Sequence, residues 1–146
     1  MNILALDQAT VTGWAISYDL YGEWDFSTRK DESEGMKFLR FKAKLAEVCA
    51  LEKIDLVVYE RPAGFHVNSV IHSAKLVAII VTFCDENNIN YRAYSASEIK
   101  KHATGKGNSG KEKMIASAET KFNKQNLSDN EADALWLLDL AQRDYK

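Results

Sequence analysis

The sequence predicts an α/β domain built on a mixed five-stranded sheet, and three observations carry that expectation. Two apolar runs, Ile3-Leu4-Ala5-Leu6 and Leu56-Val57-Val58-Tyr59, have strand character. Segments with helical periodicity alternate with strands, in the order β-β-β-α-β-α-β-α-α. The length of 146 residues, with 46% hydrophobic and 10% aromatic side chains, suits one domain spanning residues 1–146 and is enough to fill a core.

Ile3 to Leu6 reads as the first strand, and Gly13 to Tyr18 as its hairpin partner after the turn-forming stretch Gln8 to Thr12. Asp19 to Gly22 supplies turn residues before Glu23 to Thr28, where Trp24 and Phe26 alternate with polar neighbours, completing a three-stranded meander. Met36, Leu39, Ala43, Ala46, Val48 and Ala50 are spaced as on an amphipathic helix. Ile54 to Tyr59 returns to strand character and ends at Glu60. From about Asn68 to Asn87 a helix carries Val70, Ile71, Ala74, Val77, Ala78, Val81 and Cys84 on one stripe, and Leu76, Ile79, Ile80 and Phe83 on others. Such all-round apolarity calls for cover on more than one side, and a second subunit is one source of it. Ile89 to Tyr94 is a short strand, and Ser95-x-x-Glu98 a capping box opening a brief helix that stops near Thr104. Gly105 to Gly110 is expected to be the most flexible segment. Helices follow at Lys111 to Phe122 and Asp129 to Arg143, the second opened by a capping box from Ser128 to Glu131.

Nineteen Lys and Arg against 21 Asp and Glu leave a net charge of -2, so no global basic field advertises nucleic acid or an anionic membrane. Cys49 and Cys84 lie far apart without a Cys-x-x-Cys or Cys/His cluster and read as reduced structural thiols. The longest apolar stretch, Leu76 to Cys84, falls well short of the roughly 20 residues of a membrane span. Met1 leads directly into a strand-like segment, and a cytoplasmic protein without membrane contact is expected.

Both apolar strands end in an acid, Asp7 after Leu6 and Glu60 after Tyr59. If the strands are parallel neighbours, the two carboxylates meet at the carboxyl edge of the sheet, where open α/β sheets bind ligands. Close carboxylates repel unless a cation neutralises them, and oxygen-rich sites select Mg²⁺ or Mn²⁺. The blander reading makes each acid a strand's exit to solvent. A third acid, Asp133, sits one turn into the last helix between Ala132 and Ala134, whose small side chains let the helix lie close to the sheet edge. Asp129 and Asn130 share its helical face, whereas Glu131 points elsewhere as a cap.

Ile3-Leu4-Ala5-Leu6-Asp7 with Thr12-Gly13-Trp14-Ala15-Ile16, Val57-Val58-Tyr59-Glu60, Gly105-Lys106-Gly107 before Lys111-Glu112, and Glu131-Ala132-Asp133-Ala134-Leu135 together resemble the RuvC-type Holliday-junction resolvases, nearly end to end. The resemblance implies an RNase H-like fold, a homodimer and Mg²⁺-dependent paired nicking of four-way DNA junctions. It implies that Asp7, Glu60 and Asp133 are catalytic acids holding two ions per active site. Asp7 would bridge both, Glu60 would hold one and Asp133 the other. Where the family commonly has a further acid, three residues before the helix aspartate, this chain has Asn130, leaving Asn130 through its carbonyl or Asp129 as the fourth ligand. The implied chemistry is hydrolysis of a phosphodiester by an activated water between two cations.

A local basic surplus runs from Arg92 to Lys113: Arg92, Lys100, Lys101, Lys106, Lys111 and Lys113 against Glu98 and Glu112. Lysines act on phosphates as salt-sensitive point charges, and Lys106 and Lys111 match lysines near the scissile phosphate in the resembled family. Without the carboxylates, the same run reads as a solvated surface. Gly105-x-x-x-x-Gly110-Lys111 imitates a phosphate-binding loop but has Glu112 where Ser or Thr is needed, so no nucleotide cofactor is expected. Phe65, on the loop after Glu60, is either a base-stacking aromatic, as in the family, or a core anchor. His66, His72 and His102 lack ligand spacing, although His102 lies near enough to the basic loop to touch phosphate. Trp14, Trp24 and Trp136 read as core.

A junction-resolving endonuclease is therefore expected. The alternatives are an RNase H-like nuclease acting on flaps, other branched DNA or RNA/DNA hybrids, and a non-catalytic junction-binding protein, the latter motivated by Asn130.

Overall fold

The computed structural model describes residues 1–146. Its elements are β1 (Ile3–Asp7), β2 (Val11–Ser17), β3 (Leu20–Asp25), α1 (Glu34–Leu51), β4 (Leu56–Glu60), α2 (Val67–Glu86), β5 (Asn90–Tyr94), α3 (Ala96–Thr104), α4 (Lys111–Phe122) and α5 (Asp129–Asp144). The three closing helices, α3 to α5, stand where the capped brief helix and its two successors were expected. The strands form one sheet in the order β3-β2-β1-β4-β5. β1 pairs antiparallel with β2 and β2 with β3, while β1–β4 and β4–β5 are parallel, so the mixed meander-plus-parallel sheet is as expected.

The central strands are apolar throughout because both sheet faces are covered. Along β1, Ile3 and Ala5 pack beneath α5 among Leu135, Leu138 and Val58, while Leu4 and Leu6 face α1 and α2 among Phe41, Leu45, Leu76 and Ile80. The meander departs from expectation in its register. Ser17 pairs with Leu20, so the chain reverses over Tyr18 and Asp19 alone, and β3 occupies Leu20–Asp25 rather than Glu23 to Thr28. β2 likewise begins at Val11, making Thr12 a buried strand residue whose hydroxyl donates to the Ala9 carbonyl at 2.6 Å.

Two helix faces also differ. α1 buries Phe41, Leu45 and Cys49, leaving Leu39, Ala43, Ala46 and Ala50 exposed. Bulky side chains four residues apart gain more from burial than the alanines of the expected stripe. α2 buries Leu76, Ile80, Phe83 and Cys84 and leaves Val67, Ile71, Ala74 and Ala78 outward, so the expected stripe is mostly the uncovered side. α2 is long, and an 18-residue window of it reaches a mean hydropathy of 1.7, because apolar residues continue on either side of the uninterrupted run from Leu76 to Cys84 with polar ones interspersed. Trp136 is core as expected, but Trp14 and Trp24 are half-buried and stacked on each other, with centroids 5.3 Å apart.

Candidate active site

Parallel pairing of Leu6 with Tyr59 brings the next residue on each strand, Asp7 and Glu60, to the same carboxyl edge of the sheet. Across the sheet Asp7 pairs with Gly13 of β2, and Gly13 admits the last helix. A Cβ built there would stand 2.1 Å from the Asn130 carbonyl oxygen, so only glycine lets the first turn of α5 rest on β2. The start of that helix is fixed by a complete capping box. The Ser128 hydroxyl accepts from the Glu131 amide, and the Glu131 carboxylate accepts from the Ser128 amide, the cap role expected of Glu131. Buried Ala132 and Ala134 flank Asp133, which is lowered toward the strand ends.

Asp7, Glu60, Asp133 and Lys100 line one narrow cleft of about 30 Å³, with Ile99, Met114 and Leu137 as its apolar part. Desolvation dominates its electrostatics. Burial, then the charges of Asp133, Glu60 and Asp129, push the Asp7 carboxyl well above the ordinary carboxylate range. Burial also raises Glu60, against the pull of Lys100. Asp133 is pushed up to about 7 by burial, Glu60 and Asp129, with Lys100 and Lys111 acting in the opposite sense. No three His, Cys, Asp or Glu side chains stand as a closed ligand set for one ion. The donors nevertheless suit a hard divalent cation: they are carboxylates only, converge on one cleft, and raise one another's affinity for a proton there more than Lys100 offsets.

The remaining expected residues divide sharply. Lys100 stands inside the cleft, closer to the acids than a general DNA-contacting lysine needs to be. Lys111 pairs with Asp129 at 3.1 Å at the junction of α4 and α5. The Asn130 amide nitrogen donates to Glu23 of β3 at 2.9 Å, and the Asp129 charge is felt by both Asp7 and Asp133. Lys101 and Lys106 are exposed, and Lys113 faces a separate surface hollow beside Lys121 and Trp136. The loop from Gly105 to Gly110 is more tightly held than its composition suggested. The Lys106 carbonyl accepts from the Thr104 and Ser109 hydroxyls at 3.2 and 3.1 Å, those hydroxyls also contact each other, and Ser109 is buried. Phe65 is fully exposed, which removes the core-anchor reading. His102 binds Asp139 at 2.7 Å and meets Trp136 edge-on, so it is a half-buried packing residue and not a free phosphate contact.

Sequence reading passed over Gln8. It is buried, and its amide nitrogen donates to the Glu60 carbonyl at 2.6 Å and to the Ser73 hydroxyl at 3.1 Å, tying the end of β4 to α2. A glutamine in a turn-rich stretch gives no sign of burial, because only the parallel β1–β4 pairing places Glu60 above it.

No protein-family model and no curated protein matches the chain. Among solved structures, Thermus thermophilus RuvC superposes with a TM-score of 0.76 at 17% identity, covering 94% of this chain and 90% of that one. The chain has the RuvC fold. T. thermophilus RuvC in complex with a Holliday junction substrate matches with a TM-score of 0.74 at the same identity and coverage. A yeast mitochondrial Holliday junction resolvase matches at 0.64 with 8% identity, over 93% of this chain and 75% of that one. The RuvC fold accounts for the strand order and for the arrival of the last helix at the edge where β1 and β4 end.

Proposed function

We propose that the protein is a structure-selective DNA endonuclease that resolves four-way junctions by hydrolysing phosphodiesters. The observation that carries this is the convergence of Asp7, Glu60 and Asp133, with Lys100, on one cleft at the carboxyl edge of the sheet. The similarity to T. thermophilus RuvC, solved with a Holliday junction, supports the choice of substrate.

Asp7, Glu60 and Asp133 would hold Mg²⁺, with Mn²⁺ able to substitute, and two ions per site are expected. Asp129 is the better placed of the two candidates for a fourth ligand, because its charge acts on both Asp7 and Asp133. Bound divalent ions would supply Lewis-acid polarisation of the phosphate and a more acidic water. The chain's own groups position the strand. Lys100 offsets negative charge within the cleft, Lys111 pairs with Asp129, and exposed Lys101, Lys106 and Lys113 add salt-sensitive attraction for the phosphate backbone. Phe65, with its ring in solvent, is the group to stack on an unpaired base at the junction centre. A homodimer joined through the outward face of α2 supplies two such sites for paired nicks. The two cysteines are free and buried, with burial pushing their thiols up to about 11 and about 12, which fits the reducing cytoplasm. All 146 residues belong to one nuclease domain in this reading.

A binding-only protein is the second reading, favoured by the acids standing short of a closed ligand set and by Asn130 standing where an acid was expected. One experiment separates them: a mobile four-way junction, a flap and an RNA/DNA hybrid are incubated with wild type and Asp7→Asn in Mg²⁺ and in Mn²⁺. Wild type is expected to nick the junction in both opposed strands, and Asp7→Asn to bind it without nicking. Hydrolysis of the hybrid alone overturns junction resolution, and tight junction binding with no nicking in either ion leaves the binding-only protein.

A further inference from the structure

On the face of the sheet beneath α5, strand register sets three positions in one row. Asp7 of β1 pairs with Gly13 of β2, and Gly13 pairs with Glu23 of β3, so Asp7 and Glu23 present their side chains to the same face. The row reads carboxylate, gap, carboxylate, and the first turn of α5 fills the gap with the Asn130 backbone over Gly13. Toward Asp7 the helix brings acids, since the charges of Asp129 and Asp133 both act on the Asp7 carboxyl. Toward Glu23 it brings donors. The Ser128 hydroxyl and the Asn130 amide nitrogen both donate to the Glu23 Oε2, at 3.0 and 2.9 Å.

That division accounts for Glu23 and Asn130 together. The first turn of a helix carries partial positive charge from its free amides, so a carboxylate is favoured beside it. Residue 130 meets Glu23 with an N–H; an aspartate there would set a second carboxylate where a donor now stands at 2.9 Å. Ser128 is also the cap that accepts from the Glu131 amide, so Glu23 holds the residue that fixes where the helix begins. The Ala132 amide donates to the Ser128 carbonyl at 2.9 Å, and through that turn any shift of Ser128 reaches Asp129 and Asp133.

Resting on the nuclease reading, we propose that Glu23 is a positioning residue: through Ser128 and Asn130 it seats the start of α5 on β3 and thereby fixes Asp129 and Asp133 over the cleft. Two strand spacings, roughly 10 Å, separate Glu23 from Asp7, so it acts on the reaction only through the helix. Residue 130 is an amide in this chain because its partner is a carboxylate.

The test is a donor–acceptor swap with two readouts, junction nicking in Mg²⁺ and hydrogen exchange of the α5 first-turn amides in chelator. Glu23→Ala removes the acceptor, and Asn130→Asp opposes two carboxylates. Each should slow nicking at saturating junction about tenfold or more, while the half-saturating junction concentration stays within about threefold. Each should also speed exchange at Glu131 to Asp133 about tenfold and leave the strands unchanged. Glu23→Gln keeps a carbonyl acceptor and should lose less than about threefold. Combining Glu23→Gln with Asn130→Asp lets the new amide donate to the new carboxylate, and both readouts should return to within about threefold of wild type. Nicking by Asn130→Asp at or above the wild-type rate, a combined variant as slow as Asn130→Asp alone, or unchanged exchange in Glu23→Ala overturns the proposal. A wild type that binds junctions and never nicks them overturns the nuclease reading alone, since exchange still decides whether Glu23 seats the helix.

Discussion

Asp133 ionises against its surroundings: burial and two neighbouring carboxylates oppose its charge, and Lys100 and Lys111 only partly offset them. Its carboxyl titrates near 7 in the fold and near 3.8 when free, so the folded chain holds a proton that the unfolded chain has already released. The contribution of Asp133 to the stability of the metal-free protein therefore falls as pH rises from about 3.8 to about 7 and then levels off. Asp133→Asn removes the penalty. Thermal melts in chelator should show the variant several degrees more stable than wild type at pH 8 and much closer to it at pH 5. Mg²⁺ should raise the wild-type melting temperature and leave the variant nearly unmoved, while junction nicking by the variant disappears. A variant less stable than wild type at pH 8 would mean that the acids do not repel one another in the fold. The residue was legible in the sequence as an acid between small neighbours; its electrostatic cost was not, because that depends on Lys100 and Glu60 arriving from α3 and β4.

The elements meet most tightly where α5 crosses β2. Gly13 faces the Asn130 backbone, and added bulk there cannot be absorbed by a side-chain rotation. Gly13→Ala must lift the first turn of α5 and with it Asp129 and Asp133, at an overpacking cost of about 1–3 kcal/mol. The expected result is a melting temperature lower by several degrees and nicking reduced more than tenfold at saturating junction, measured beside Gly35→Ala. At Gly35 a Cβ meets only the Ser33 hydroxyl at 3.8 Å, so that helix-forming change should leave nicking untouched. Equal losses in the two variants would show that the β2–α5 contact has no special hold on the site. Helix starts were the most legible feature of the sequence, since both capping boxes and the α4 boundaries recur in the structure. Helix faces were less so. Alanines sit equally well inside or out, and in α1 the choice fell to Phe41 and Leu45, whose partners on β1 and β4 no local pattern reveals.

At the scale of the whole molecule, the unbalanced feature is the outward side of α2, where Val67 and Ile71 are exposed and Val70, Val77 and Val81 only partly covered. The opposite side of the same helix is packed on the sheet through Leu76, Ile80, Phe83 and Cys84, so the apolar surplus was visible in the sequence but its direction was not. α2 also touches the site, because Ser73 is held by Gln8, which holds Glu60. A second copy packed on this face would thus bury apolar surface and brace each acid cleft at once, with the cleavage of opposed strands following from the twofold arrangement. Ile71→Lys places a charge in that face without touching the sheet core. Sedimentation at micromolar concentration should show a dimer for wild type and a monomer for the variant, with an unchanged melting temperature in dilute solution. On junctions the monomer should nick single strands without pairing its cuts, because each chain keeps its own Asp7, Glu60 and Asp133. A wild-type protein that sediments as a monomer both free and on junction DNA, yet still makes paired cuts, would place the symmetry in the DNA and leave the α2 face to another partner.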